Sequence, residues 1–354
     1  MIIKKQIYCT ALAVLMLICL ILSSCTQRAE KNKYSAYSMD YFDTVITIVG
    51  YENTKEEFDA VADDILSQFA MYHKMYSIYH RFEGMENLCT INELSDGKHR
   101  TVKVDRPIID MLLYAKEMYT RTNGTVNIAM GSVLSLWHDY REIGMDNPAE
   151  ASLPPMEKLK LASEHTDISK MIIDEKNCTV TLTDPLMKLD VGAIAKGYAT
   201  ERVASSFEER GVSGYLLNVG GNIRAIGTKP DNSPWNVGIE NPNGDEYLAY
   251  LDIYGSESVV TSGSYQRYYY VDGKPYHHII DPDTLMPSEG FVSVSVICED
   301  SGLGDALSTA LFCMSQEEGL ALVESVDDAE AMWTRDDGTK TVSSGWNKYV
   351  KQTE

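Results

Sequence analysis

The chain opens with an apolar run over residues 7–22, preceded by Lys4 and Lys5 and weakly interrupted by Tyr8, Cys9 and Thr10. A positive start followed by a short apolar stretch is the pattern of an export signal, not of an element of the folded domain. Residues 26–38 are polar, lack apolar periodicity, and read as a tether. The first strand pattern lies at 41–50, around the β-branched run at 44–49. Helical spacing follows over 56–79, with Phe58, Val61, Ile65, Phe69 and Tyr72 on one face. A second helix is expected over 107–122, with Pro107 in its first turn and Asn123-Gly124 ending it. Residues 141–156 read as a surface excursion, followed by a helix near 155–164 and paired strands near 170–174 and 178–183.

The texture changes after Asp190. A glycine-containing turn leads into a helix from about 193 to 210, ended by Gly211. Strand patterns follow at 215–219, 222–227, 235–239, 247–254, 258–261, 266–271 and 291–298, with Asp272-Gly273 as a hairpin signal. Helices return near 302–313 and 316–325. Strands and helices mix without regular alternation, which favours an α+β fold over a doubly wound one.

Composition and charge narrow the function. With 31 Lys+Arg against 52 Asp+Glu in 354 residues, the net charge of −21 is unsuited to a phosphate backbone or to anionic lipid held by charge alone. Membrane contact would instead come from Leu22-Ser23-Ser24-Cys25, which resembles the lipobox of bacterial lipoproteins. That reading makes 1–24 a signal peptide, 25–38 a lipidated Cys25 (palmitate among its acyl chains) plus tether, and 39–350 the folded domain, facing the periplasm or cell surface. A plain signal peptide or a single membrane anchor are the alternatives. Beyond the signal, Cys89, Cys178, Cys298 and Cys313 form no C-x-x-C pair, so zinc and redox motifs are unsupported, and spacing selects no disulfide partner.

There is no phosphate loop, no G-x-G-x-x-G, no G-x-S-x-G elbow and no H-E-x-x-H helix. Four constellations remain. In Leu189-Asp190-Val191-Gly192-Ala193-Ile194-Ala195-Lys196, a turn enters a helix whose free amides suit anionic oxygens. Lys196 opposes the dipole there, as it would beside a bound anion; otherwise Asp190 is a helix cap and Lys196 a solvated surface residue. In Leu217-Asn218-Val219-Gly220-Gly221-Asn222-Ile223-Arg224, the glycines permit close backbone approach or a bulged hairpin. In Tyr276-His277-His278-Ile279-Ile280-Asp281-Pro282, a histidine near a strand end is a candidate general base. The alternative is a pair alternating between packed and solvated faces. In Gly302-Leu303-Gly304-Asp305-Ala306-Leu307-Ser308-Thr309, Asp305 and Thr309 share a helix face. They are hard oxygen donors suited to Mg²⁺, or a dipole-favoured Asp and a back-bonded Thr.

Taken in order, these runs, with Val259-Val260-Thr261-Ser262-Gly263-Ser264-Tyr265-Gln266-Arg267, resemble the ApbE family of Mg²⁺-dependent FAD:protein FMN transferases, from about Met39 to about Trp333. The stretches Ser77-Ile78-Tyr79 and Asn127-Ile128-Ala129-Met130-Gly131 also match. The sequence departs from the family's pattern at Asp40-Tyr41, Ser132, Leu285 and Gly302.

The resemblance implies a two-lobed α+β domain related to the T-fold, with mixed sheets, flanking helices and the flavin between the lobes. It implies that Ala193 (main-chain oxygen), Asp305 and Thr309 hold Mg²⁺, with Mn²⁺ as an alternative. Asp190 and Lys196 would contact FAD, the substrate, while Met39, Tyr79, Ala129, Met130, Gly131 and Ile279 would line its pockets. His278 and Asp305 would be catalytic. The expected reaction joins FMN to a Thr or Ser hydroxyl of an exported or membrane redox protein and releases AMP. An FAD pyrophosphatase and a non-catalytic FAD-binding lipoprotein are the alternatives.

Overall fold

The computed structural model describes residues 31–93, 101–242, 244 and 246–352. The signal segment, Cys25 and the first part of the expected tether lie outside the described residues. In chain order the elements are β1 (Asn32–Ser38), β2 (Ile46–Glu52), α1 (Lys55–Tyr76), α2 (Leu88–Asn92), β3 (Thr101–Lys103), α3 (Arg106–Arg121), α4 (Gly131–Asp146) and α5 (Met156–Ser163). They continue with β4 (Met171–Asp174), β5 (Thr179–Leu182), α6 (Ala195–Glu209), β6 (Tyr215–Val219), β7 (Asn222–Ile226), β8 (Trp235–Glu240), β9 (Tyr247–Ile253) and β10 (Ser258–Gly263). Last come β11 (Tyr268–Val271), β12 (Lys274–His277), β13 (Ser293–Cys298), α7 (Ser301–Cys313), α8 (Gln316–Val323), β14 (Glu330–Thr334) and β15 (Lys340–Val342).

An eight-stranded antiparallel sheet in the order β1-β2-β6-β7-β10-β13-β14-β15 forms the frame. Side chains alternate between its faces. Tyr215, Leu217 and Val219 of β6 join a core with α1 and α6, and Val294, Val296 and Cys298 of β13 join one with α7. The intervening Leu216 and Ile297 point the other way, into a core with Trp235, Val237 and Leu251 of the β8–β9 hairpin. Covered on both faces, β13 is buried throughout, its Ser293 and Ser295 included. A separate apolar cluster joins α4 and α5 to the β11–β12 hairpin through Val133, Trp137, Leu159 and Tyr269.

The helical readings at 56–79, 107–122, 302–313 and 316–325 correspond to α1, α3, α7 and α8. Thr54 caps α1 by accepting from Glu57 N, and α3 ends as expected, with Asn123 and Gly124 at φ 51° and 87°. Two expectations need correction. Residues 32–38 are a strand, not a tether: β1 pairs along its length with β2, and Tyr34 meets Phe58 at 5.6 Å between ring centres. An edge strand buries only part of one face, so its polar composition hid it. The excursion at 141–156 is also partly helical, because α4 runs on to Asp146.

Candidate active site

Helices α6 and α7 meet where a side chain would not fit. A Cβ on Gly197 would stand 2.3 Å from Ser301 O and 2.5 Å from the Asp305 Cβ. The bare backbone lets Gly197 N donate to Asp305 Oδ2 at 2.8 Å, and Lys196 Nζ reaches Asp305 Oδ1 at 3.3 Å. Asp305 is 3% exposed, so its charge rests on these two donors. Lys196 Nζ also lies 3.4 Å from Asn222 Oδ1. One turn beyond Asp305, Thr309 Oγ1 lies 3.4 Å from Ser262 Oγ at the end of β10.

The approach to α6 is a local turn. Asp190 Oδ1 accepts from Gly192 N at 2.9 Å, and Ala195 N donates to Val191 O, so the helix starts at Ala195 rather than 193. Asp190 is therefore not the helix cap. Its own strand-like segment is pinned alongside 128–131 by Asp190 N to Ile128 O at 2.8 Å and Gly131 N to Lys188 O at 3.0 Å. A Cβ at Gly131 would stand 2.5 Å from Lys188 O, which accounts for glycine there. Burial holds the Asp190 carboxyl above the usual carboxylate range, against the Gly192 amide and the nearby His138, Arg141 and Arg267.

Between these parts lies a cleft of about 270 Å³ lined by both walls. One wall carries Lys196, Ala193, Asp305, Thr309 and Ser262; the other carries Tyr79, Met130, Trp137, His138 and Arg141. Tyr79 and His138 rings lie 5.1 Å apart, and Arg141 Nη2 lies 3.0 Å from His138 Nδ1. Arg267, at φ 52°, donates to Asp43 O at 3.1 Å and also lines the cleft.

His278 enters from just past β12. Its neighbour His277 places Nε2 2.9 Å from Ser288 O and accepts from Ile279 N at Nδ1, 3.2 Å away. A carbonyl only accepts, so the His277 proton sits on Nε2. That clamp spans His278, whose Nδ1 is buried without a protein partner. Burial, followed by Arg267, His277, Arg141 and Lys196, pushes His278 down to about 3. Neither histidine is fully exposed, so the packed-and-solvated alternation does not describe the pair.

The structure thus gathers Tyr79, Met130, Asp190, Ala193, Lys196, His278, Ile279, Asp305 and Thr309 around one cleft. Met39, Ala129 and Gly131 do not line it. Met39 is 70% exposed in the β1–β2 connection, Ala129 is fully buried, and Gly131 is packed on the 188–189 backbone. Sequence reasoning gave no role to Arg141, Arg267, His138 or Ser262. Arg267 and Ser262 stood in a quoted run; Arg141 and His138 lay in the segment read as surface or left unread, and only α4 brings them in.

The donor set can be tested for a metal. Among the described residues, no group of three or more His, Cys, Asp or Glu could hold one. On the wall of α6 and α7 the cleft offers the buried Asp305 carboxylate, the Thr309 hydroxyl and the Ala193 main chain, all oxygen donors. Mg²⁺ binds through few protein oxygens and completes its shell with water and substrate phosphate, so this set fits it. A closed zinc or calcium cage would need more. Cys89, Cys178, Cys298 and Cys313 are free thiols.

The model of the ApbE family matches residues 42–333. An FAD:protein FMN transferase of Klebsiella pneumoniae (strain 342) is 33% identical over 276 residues, 75% of this chain and 82% of that one. One from Treponema pallidum (strain Nichols) is 33% identical over 259 residues, 69% of this chain and 70% of its own. The crystal structure of the ApbE protein of Thermotoga maritima superposes with a TM-score of 0.77 at 28% identity, covering 91% of this chain and all of that one. The cleft's ordered motifs, the sheet that carries them and these matches over most of the chain agree: this chain belongs to the ApbE family.

Proposed function

We propose that this enzyme transfers FMN from FAD to a Thr or Ser hydroxyl of an acceptor protein through a phosphoester bond, releasing AMP. The observation that carries the reading is the pairing of opposite walls in one cleft. Lys196, Asp305 and Thr309 face a position suited to a pyrophosphate, and His278 lines the same cleft. Mg²⁺, with Mn²⁺ as the alternative, would be held by Asp305, Thr309 and the Ala193 main-chain oxygen, and would supply positive charge to the pyrophosphate.

The chain's own groups do the rest. Lys196 binds phosphate oxygens. Tyr79, Met130 and Trp137 offer apolar and aromatic surface to a ring system. The acceptor hydroxyl loses its proton to His278 as its oxygen bonds to the FMN-side phosphorus; the bridging P–O bond breaks and AMP departs with that electron pair. Charge placement and alignment account for most of the rate, as in other phosphoryl transfers. Burial first, and then Arg267, His277, Arg141 and Lys196, keep His278 neutral in the free enzyme. A bound pyrophosphate offsets Arg267, Arg141 and Lys196, so substrate binding raises the basicity of His278.

The acceptor is proposed to be an exported or membrane redox protein, and the enzyme to be anchored by lipid on Cys25 at the extracytoplasmic side. Among the described residues, no helix is long and apolar enough to cross a membrane. Incubation with FAD, Mg²⁺ and a flavin-accepting protein should give a fluorescent acceptor band on a denaturing gel. Free FMN and AMP forming equally with or without acceptor would assign the cleft to hydrolysis. Bound FAD left intact would leave only binding.

A further inference from the structure

The second glycine-containing run ends in Arg224, which the proposed chemistry does not use. Arg224 is 4% exposed and grips Glu201 with two prongs, Nε to Oε2 at 2.9 Å and Nη2 to Oε1 at 3.0 Å. Its Nη1 reaches Glu208 Oε1 at 3.1 Å, one further stretch along α6. Glu201 is itself 7% exposed, and its Oε2 also accepts from Ser301 N, the first residue of α7, at 2.9 Å. Ser205 Oγ donates to Glu201 Oε1 at 2.8 Å. Burial pushes the Glu201 carboxyl up, but the Arg224 bonds and charge overcome it, so the group stays below its ordinary value and ionised.

The same three elements meet again nearby. Asn222, two residues before Arg224 and on the same face of β7, contacts Lys196 of α6, and Asp305 of α7 accepts from Gly197 and Lys196. β7, α6 and α7 are therefore tied at two levels. One level is Asn222–Lys196–Asp305 in the cleft, and the other is Arg224–Glu201–Ser301 behind it. A buried ion pair adds little net stability, because desolvation offsets its attraction. Apolar residues would hold α6 to β7 as firmly. They would not fix its rotation and axial height, which two parallel hydrogen bonds and a third to Ser301 do.

We propose that Glu201 and Arg224 are positioning residues for the transfer, setting α6 against α7 so that Lys196 and Asp305 face the pyrophosphate together. This rests on the reading of the cleft given above. The pair touches neither cleft nor substrate; it acts through α6.

The test is the double variant Glu201→Leu, Arg224→Met, which removes both charges and leaves neither unpaired. Four quantities are read: the melting temperature, kcat and KM for FAD in acceptor labelling, and the FAD Kd from flavin fluorescence with and without Mg²⁺. The proposal expects a melting temperature within a few degrees of the parent, a kcat lowered about tenfold or more, and a smaller gain in FAD affinity on adding Mg²⁺. A parent-like kcat and parent-like Mg²⁺ gain in a folded double variant would overturn it. Should the double variant not fold, Arg224→Lys keeps the charge and loses the two-pronged grip. A folded Arg224→Lys with full kcat overturns the proposal, and a several-fold loss of kcat supports it. Failure of the parent enzyme to label acceptor would count against the cleft reading instead, before any variant is compared.

Discussion

At the scale of single residues, the cleft assigns separable tasks. Asp305 is buried, receives Gly197 N and Lys196 Nζ, and stands one helical turn from Thr309. Asp305→Asn keeps the shape but removes the charge, and is expected to lower turnover about 100-fold or more while the fold survives. Turnover within a factor of two of the parent would remove Asp305 from the reaction. His278 is set up differently, with an unpartnered nitrogen and a neutral ring. His278→Ala should lower kcat by about 10²–10⁴ and leave FAD affinity unchanged, as read by rapid-quench kinetics and fluorescence titration. Its protonation also enters the stability. The unfolded chain takes up this proton near pH 6.5 and the folded one near 3, so stability is intact above about 6.5 and falls as pH drops toward 3, with a slope of up to about 1.4 kcal/mol per pH unit. His277, also lowered by burial, adds to the same loss. His278→Asn should flatten the acid side of a denaturation-versus-pH curve, and an unchanged curve would show that His278 is not buried neutral. Asp190, Lys196, Asp305 and Thr309 were legible in the sequence because each sits in a short run whose glycines, helix start and i, i+4 spacing are local. Arg141 and His138 were not, because a helix and a long-range packing contact, rather than a spacing, bring them to the cleft.

At the scale of elements, glycine and edge pairing decide what the cleft can be. Gly197→Ala would force a methyl group against Ser301 O and the Asp305 Cβ. It should cost about 1–3 kcal/mol in urea denaturation and reduce turnover out of proportion, by spreading α6 from α7. A variant of parental stability and turnover would show that the two helices can part without consequence. Helix α1 was readable from its apolar period and α3 from its end signals, and the central strands from their β-rich runs. β1 was not: its core-facing positions are Tyr34, Ala36 and Ser38, too small or too polar to give a period. Its contribution can be measured by truncation. A chain starting at residue 31 should match the parent's melting temperature, whereas one starting at 39 exposes the edge of β2, loses the Tyr34–Phe58 contact, and should melt more than about 5 °C lower. Equal melting of the two would return 32–38 to the role of a tether.

At the scale of the whole molecule, a chain of net charge −21 must admit an anionic substrate. The fold answers this locally. α6 supplies Lys196, α4 supplies Arg141 and the turn before β11 supplies Arg267, all to the cleft that also holds Asp43, Asp190 and Asp305. Fold class and family were legible because five motifs recur in order along one chain. The lobes that bring them together depend on an eight-stranded sheet whose neighbours are distant in sequence, such as β2 beside β6. The proposed reaction in this cleft moves an FMN group from FAD to a protein hydroxyl. Intact-mass spectrometry of the acceptor, run beside AMP quantification after incubation with FAD and Mg²⁺, tests it most directly. One FMN-phosphoester adduct on a Thr or Ser is expected for each AMP released, with both products formed at least about 100-fold more slowly by Asp305→Asn. AMP released with free FMN and an unmodified acceptor would contradict it.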